Sequence, residues 1–164
     1  RGLGDVYKRQ AMCFMACAAE KTQKKDSVGN KTQEEPYYYE ADGKKIYIGQ
    51  EIEDAVAILG EDYEYFEAAS CAVEGLDMFY YYHNLTLTAN EIDGKKIITD
   101  IYFKNDAVAT TEGIRINMEY AKVMDVYGSD YEMSGTMMEY IRGNTILCID
   151  IRDKKVAAIE YKMK

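Results

Sequence analysis

The stretch from Ile46 to Glu64, IYIGQEIEDAVAILGEDYE, has a second version from Ile114 to Glu132, IRINMEYAKVMDVYGSDYE. Ile48 falls on Ile116, Ile52 on Tyr120, Val56 on Met124 and Leu59 on Tyr127, and Gly60-x-Asp62-Tyr63-Glu64 falls on Gly128-x-Asp130-Tyr131-Glu132, without a gap. A long match at one offset is the mark of a duplicated unit. It constrains the fold more than composition does, because what one copy forms the other should form too. Each copy is also too short to bury a sufficient core alone.

Within each copy the period is helical. Ile52, Ala55, Val56 and Leu59 sit at i, i+3, i+4 and i+7, as do Tyr120, Val123, Met124 and Tyr127. Gly49 and Asn117 are the expected N-caps, and Gly60 and Gly128 the left-handed stops. Two one-sided helices of about three turns are not stable by themselves, so each needs a sheet to lie on.

After each helix the period changes to two. MFYYYHN, LTLTANEI and KIITDIYF read as strands with turns at His83-Asn84 and Asp93-Gly94; TMMEYIR, TILCIDI and VAAIEYK read as strands with turns at Gly143-Asn144 and Arg152-Asp153. A shorter strand pair around Asp42-Gly43 precedes the first helix. The alternation of Leu85 and Leu87 with Thr86 and Thr88, and of Leu147, Ile149 and Ile151 with Cys148 and Asp150, predicts one face buried under the helices and one face wet. Tyr80, Tyr82, Met138 and Tyr140 should then point inward, and Phe79, Tyr81, His83, Tyr102 and Glu139 should line the open face.

The expected fold class is therefore α+β, with two tandem helix-plus-antiparallel-meander repeats (about 46–104 and 114–162) forming one sheet with helices on one face. On Ile48-Gly49, Leu59-Gly60, Tyr127-Gly128 and the strand pattern, the arrangement resembles the β-lactamase-inhibitor-protein-like (BLIP-like) repeat fold. The inhibitory activity of that family is not implied, because its enzyme-contacting residues have no positional match in this chain.

Residues 1–10 resemble a translated sequencing-adapter tail and are set aside. Phe14-Met15-Ala16-Cys17 resembles a bacterial lipobox, which implies a truncated lipoprotein signal peptide over 1–17, a lipid on Cys17 and an extracytoplasmic, membrane-anchored protein. The polar run over 18–36 reads as a flexible linker, leaving 37–164 as the folded domain. Cys71 and Cys148 are the cysteines that remain in it. They are candidates for one disulfide in an oxidising compartment, and equally two buried free thiols.

Net charge is −9. It is uneven: residues 1–36 carry 7 basic and 5 acidic side chains, and 37–164 carry 13 basic and 24 acidic, a net of −11. Such a surface repels phosphate backbones, so no nucleic-acid partner is expected. The single histidine, His83, lies beside a turn, and no nucleophile elbow, zinc-protease helix, phosphate loop or calcium loop is present. No metal, cofactor or catalytic residue is expected. Carboxylate pairs such as Glu51/Asp54 and Glu61/Glu64 read as solvated surface.

The candidate binding residues are Asp62, Tyr63, Tyr65, Tyr81, Tyr102, Asp130 and Tyr131. Tyrosine gives contact area at low entropy cost and a carboxylate steers charge, which suits recognition of a protein or other cell-envelope component. Gly-x-Asp-Tyr is also what a helix stop followed by a tyrosine closing the core edge would look like. The expected function is a noncatalytic binding module; the alternative is a carboxylate-based hydrolase acting on envelope or dietary glycans.

Overall fold

The computed structural model describes residues 35–70 and 75–164. In chain order these form β1 (Tyr38–Ala41), β2 (Lys44–Tyr47), α1 (Ile52–Leu59), β3 (Glu64–Ala69), β4 (Leu76–Tyr81), β5 (Leu85–Ile92), β6 (Lys95–Phe103), α2 (Tyr120–Tyr127), β7 (Glu132–Ser134), β8 (Met137–Arg142), β9 (Thr145–Arg152) and β10 (Lys155–Met163). The first two strands are a hairpin; the other eight make one antiparallel sheet in the order β3-β4-β5-β6-β10-β9-β8-β7.

This corrects the expected α+β class of two helix-plus-meander repeats. Strands hold 52% of the described residues and helices 13%, so the fold is mostly β. Two physical reasons account for the difference. The segments after Gly60 and Gly128 are not loops but the edge strands β3 and β7, and each helix has only 8 residues. Two such short helices cannot form a layer over eight strands. The remaining cover comes from the β1–β2 hairpin and from Val108 and Ile114 in the 104–119 connection, which join one continuous core with Ile52, Ala55 and Val123.

Local chemistry explains the turns. Asp42-Gly43 and Asp93-Gly94 both have positive φ at both residues, 51° and 72° in the first and 52° and 75° in the second, which matches the twist of the flanking strands. The β9–β10 turn is made by Asp153 and Lys154, at φ 48° and 62°, one residue later than the expected Arg152-Asp153.

Gly49 and Asn117 do not cap the helices. The residues before the helices are Glu51 and Glu119, without a side-chain cap bond. Gly49 and Asn117 instead take φ 96° and 71°, which lets their amides dock on strand carbonyls: Gly49 N on Ile98 O at 2.9 Å, Asn117 N on Val156 O at 2.8 Å. The glycine stops hold, since the amides of Gly60 and Gly128 close on Val56 O and Met124 O at positive φ.

The expected division into a dry and a wet face holds for the helix side and fails in the middle of the other side. Tyr80, Tyr82, Met138 and Tyr140 are buried as expected. Thr86, Asn90, Cys148 and Asp150 point away from the helices and are buried as well. The longer side chains of the neighbouring strands close over them, as the Lys162–Glu139 ion pair at 3.3 Å does beside Cys148.

Candidate functional site on the open face

The strand registers lay the open face out in rows. One row runs across all eight strands: Glu64, Tyr81, Thr86, Tyr102, then Glu160, Cys148, Glu139 and Glu132. The next carries Phe66, Phe79, Thr88, Asp100, Lys162 and Ile146. Aromatic rings thus gather toward the β3 edge and carboxylates toward the β7 edge, with threonines and a carboxylate pair between.

The rings form a strip. Phe66 and Phe79 stack at 6.1 Å between centroids, and Phe79 and Tyr81 at 5.9 Å with planes only 7° apart. Beside this strip lies a cleft of about 1080 Å³ running over β4, β5, β6 and β10. Its floor contains Thr86, Thr88, Asn90 and Thr99, and Phe79, Tyr81 and Tyr102 contribute rings to its lining.

A β-bulge on β6, where the register steps between Thr88 and Ala89, adds Thr99 beside Asp100. Thr99 Oγ1 donates to Asn90 Oδ1 at 2.7 Å, and Asn90 Nδ2 donates to Asp77 Oδ1 at 2.6 Å and to Leu76 O at 3.0 Å. The amide is therefore saturated and rigid, which fixes the lower wall of the cleft.

Asp100 and Glu160 meet across the β6–β10 seam. Burial, then a hydrogen bond and charge repulsion from Glu160, push the Asp100 carboxyl up to about 9, only partly countered by Lys162. The charged form of Asp100 is therefore disfavoured beside Glu160. Cys148, one strand further, is a free buried thiol, raised to about 11 by burial and eased by the Lys162 ammonium.

The structure separates the sequence-predicted binding residues into three groups. Tyr81 and Tyr102, 36% and 39% exposed, line the cleft. Tyr63 and Tyr131 turn to the helix side, where Tyr63 packs on Tyr80 at 5.1 Å and Tyr131 on Tyr140 at 5.5 Å, so both close the core edge. Tyr65, on the edge strand β3, lies against Tyr80 at 5.1 Å and donates to Glu67 Oε2 at 2.7 Å. Asp62 and Asp130 are exposed, at opposite ends of the sheet. Only Asp62 joins others of the set, in a smaller pocket of about 370 Å³ with Tyr63, Tyr81, His83 and Lys104. Cys17 and Cys71 lie outside the described residues.

Sequence reasoning missed Asp100, Glu160, Thr99 and Asn90. Asp100 and Glu160 belong to strands far apart in the chain, and only the seam brings them together; no local pattern marks them. Among the described residues no cluster of histidine, cysteine and carboxylate side chains is arranged to hold a metal ion. No helix among them is long and apolar enough to cross a membrane.

No family model matches this chain, and no curated protein does. Among solved structures it is similar to a cysteine-rich secretory protein from Staphylococcus aureus subsp. aureus Mu50, with a TM-score of 0.50 and 16% identity over 80% of this chain. The chain spans 49% of the length of that protein. At this identity the likeness concerns the fold alone.

Proposed function

We propose that the protein is a noncatalytic binding module, held outside the cytoplasm by a lipid on Cys17, whose contact surface for a protein or other envelope component is the open face of the sheet. The observation that carries this reading is the cleft of about 1080 Å³ over β4, β5, β6 and β10, lined by the rings of Phe79, Tyr81 and Tyr102 among threonines and the hydrogen-bonded Asn90. The lipobox resemblance of Phe14-Met15-Ala16-Cys17 supports the anchor, and the name of the structural neighbour, a secretory protein, agrees with an extracytoplasmic address.

The carboxylates support binding over hydrolysis. Glycoside hydrolysis needs two carboxyl groups about 5 to 9.5 Å apart so that the scissile bond or a water fits between them. Asp100 and Glu160 are in hydrogen-bond contact instead. Hydrogen exchange of the chain with and without envelope extract tests the reading. Protection is expected over β4, β5 and β6, and none over α1 and α2. Unchanged exchange on the open face would overturn it, as would release of reducing sugar from the extract.

A further inference from the structure

The cleft differs in charge from the domain that carries it. Residues 37–164 bear a net charge of −11, yet Lys104, Lys162 and Lys164 line the cleft against Asp77, Glu91 and Glu160. Asp100, the remaining acid of the lining, is half-buried beside Glu160, which disfavours its charged form. Several of these charges are already engaged: Lys104 Nζ donates to Tyr82 O at 2.8 Å, Lys162 pairs with Glu139 at 3.3 Å, and Asp77 accepts from Asn90. Three ammonium groups against three carboxylates leave the lining without a net charge to draw a charged ligand.

The remaining chemistry is amphipathic in a particular way. Tyr81 and Tyr102 are each in register with Thr86, so they stand two strand spacings apart, about 10 Å, with a hydroxyl between them. Thr88 continues the hydroxyl floor between Phe79 and Asp100. A fatty chain would desolvate that floor without returning hydrogen bonds to it, which is unfavourable. A sugar fits both parts: its C–H face lies on a ring while its hydroxyls meet threonine, tyrosine and carboxyl oxygens.

We infer that the open-face cleft binds an uncharged oligosaccharide, with Tyr81 and Tyr102 as its stacking platforms and Thr86 and Thr88 beneath it. The inference rests on the binding-module reading above and names its ligand class. Unlike a pocket, the cleft is open along β4 to β10, so it accommodates an internal stretch of a glycan chain.

The test is chemical-shift titration of the isotopically labelled full chain with cellohexaose and chitohexaose, alongside polygalacturonate and a chitosan hexamer as anionic and cationic controls. The expected result is movement of β4, β5 and β6 amides with at least one neutral hexasaccharide and not with the charged ones. Tyr81→Ala and Tyr102→Ala should each weaken that binding about ten-fold. Tyr102→Phe should retain it, which separates ring loss from misfolding, and Asp125→Ala, exposed on α2 and outside the cleft, should leave it within about two-fold. The inference is overturned if neither neutral hexasaccharide moves these amides, or if the binding survives both alanine variants. Protection of the same strands by a protein from the envelope, with no glycan bound, would reject the sugar and leave the binding module standing. Silence in both experiments would reject both.

Discussion

The hydroxyl of Tyr82 donates to the carbonyl of Gly60 across 3.0 Å, and so ties the stop of α1 to the end of β4. Tyr140 makes the same bond to the carbonyl of Gly128 at 2.9 Å after α2. Both hydroxyls are held neutral, their pKa raised to about 12 chiefly by burial. Phenylalanine at either position removes the donor that ties the strand end to the helix stop, so Tyr82→Phe and Tyr140→Phe should each cost about 0.5 to 1.5 kcal/mol. Thermal melts should show both below the parent protein, with Tyr81→Phe, on the open face, unchanged. An equal loss in Tyr81→Phe would show that the assignment of faces is wrong.

The packing of α2 rests on Val123, which is fully buried, while Asp125 two residues on is exposed. Val123→Asp puts an unpaired carboxylate into the core at a cost of several kcal/mol, a large part of a total stability of about 5 to 15 kcal/mol. The variant should be unfolded by circular dichroism at room temperature. Asp125→Ala should melt with the parent, and the reverse order would sink the packing described.

Asp100 gives the protein a dependence on pH whose sign follows from its environment. A carboxyl raised from 3.8 to about 9 binds its proton more tightly in the folded chain than in the unfolded one. Its neutral form is compatible with folding at acid pH. Stability is then lost progressively as pH rises through the interval from about 4 to about 9, and the loss levels off above it. Asp100→Asn removes this titration. Urea unfolding across that interval should give a flatter profile for the variant and a gain of about 1 kcal/mol or more near neutral pH. Parallel profiles for the two proteins would exclude the raised Asp100 carboxyl.

Much of this fold is legible along the chain because the signals are short-range. The Asp-Gly turns, the apolar faces of both helices and the inward tyrosines Tyr80 and Tyr140 follow from spacing alone. The edge strands were hidden for a physical reason: Glu64–Ala69 and Glu132–Ser134 are exposed along most of their length, so neither shows the alternation that marks a half-buried strand. Cys148 and Asp150 alternate with apolar residues as a wet face would, yet their neighbours close over them, and single-chain patterning carries no information on neighbouring strands. The candidate site was half legible. Tyr81 and Tyr102 were within reach of alternation, whereas Tyr63 and Tyr131 belong to the core edge, and Asp100 with Glu160 exists only through the seam.

Cys148 supplies a test that does not depend on function. Its thiol is fully buried and raised to about 11, so both access and thiolate supply oppose reaction. An aromatic disulfide reagent at mildly alkaline pH should label it only after denaturant is added. Rapid labelling of Cys148 in the folded protein, located by peptide mapping, would contradict the burial. Non-reducing mass spectrometry of exported material also reports whether Cys71 has captured it in a disulfide.

The seam between β6 and β10 has a consequence for how the molecule is made. β10 stands in the middle of the sheet but is the latest of its eight strands in the chain, beginning about fifty residues after β6 is complete. Until it arrives, β6 offers an unpaired edge on one side and β9 offers another, and open edges invite pairing with other chains. A protease cut or a stalled ribosome ahead of Lys155 therefore removes no ornament from the rim. It leaves β3–β6 and β7–β9 without the strand that pairs them, each with an open edge able to recruit a stranger, so the joining of the sheet depends on the nine residues of β10.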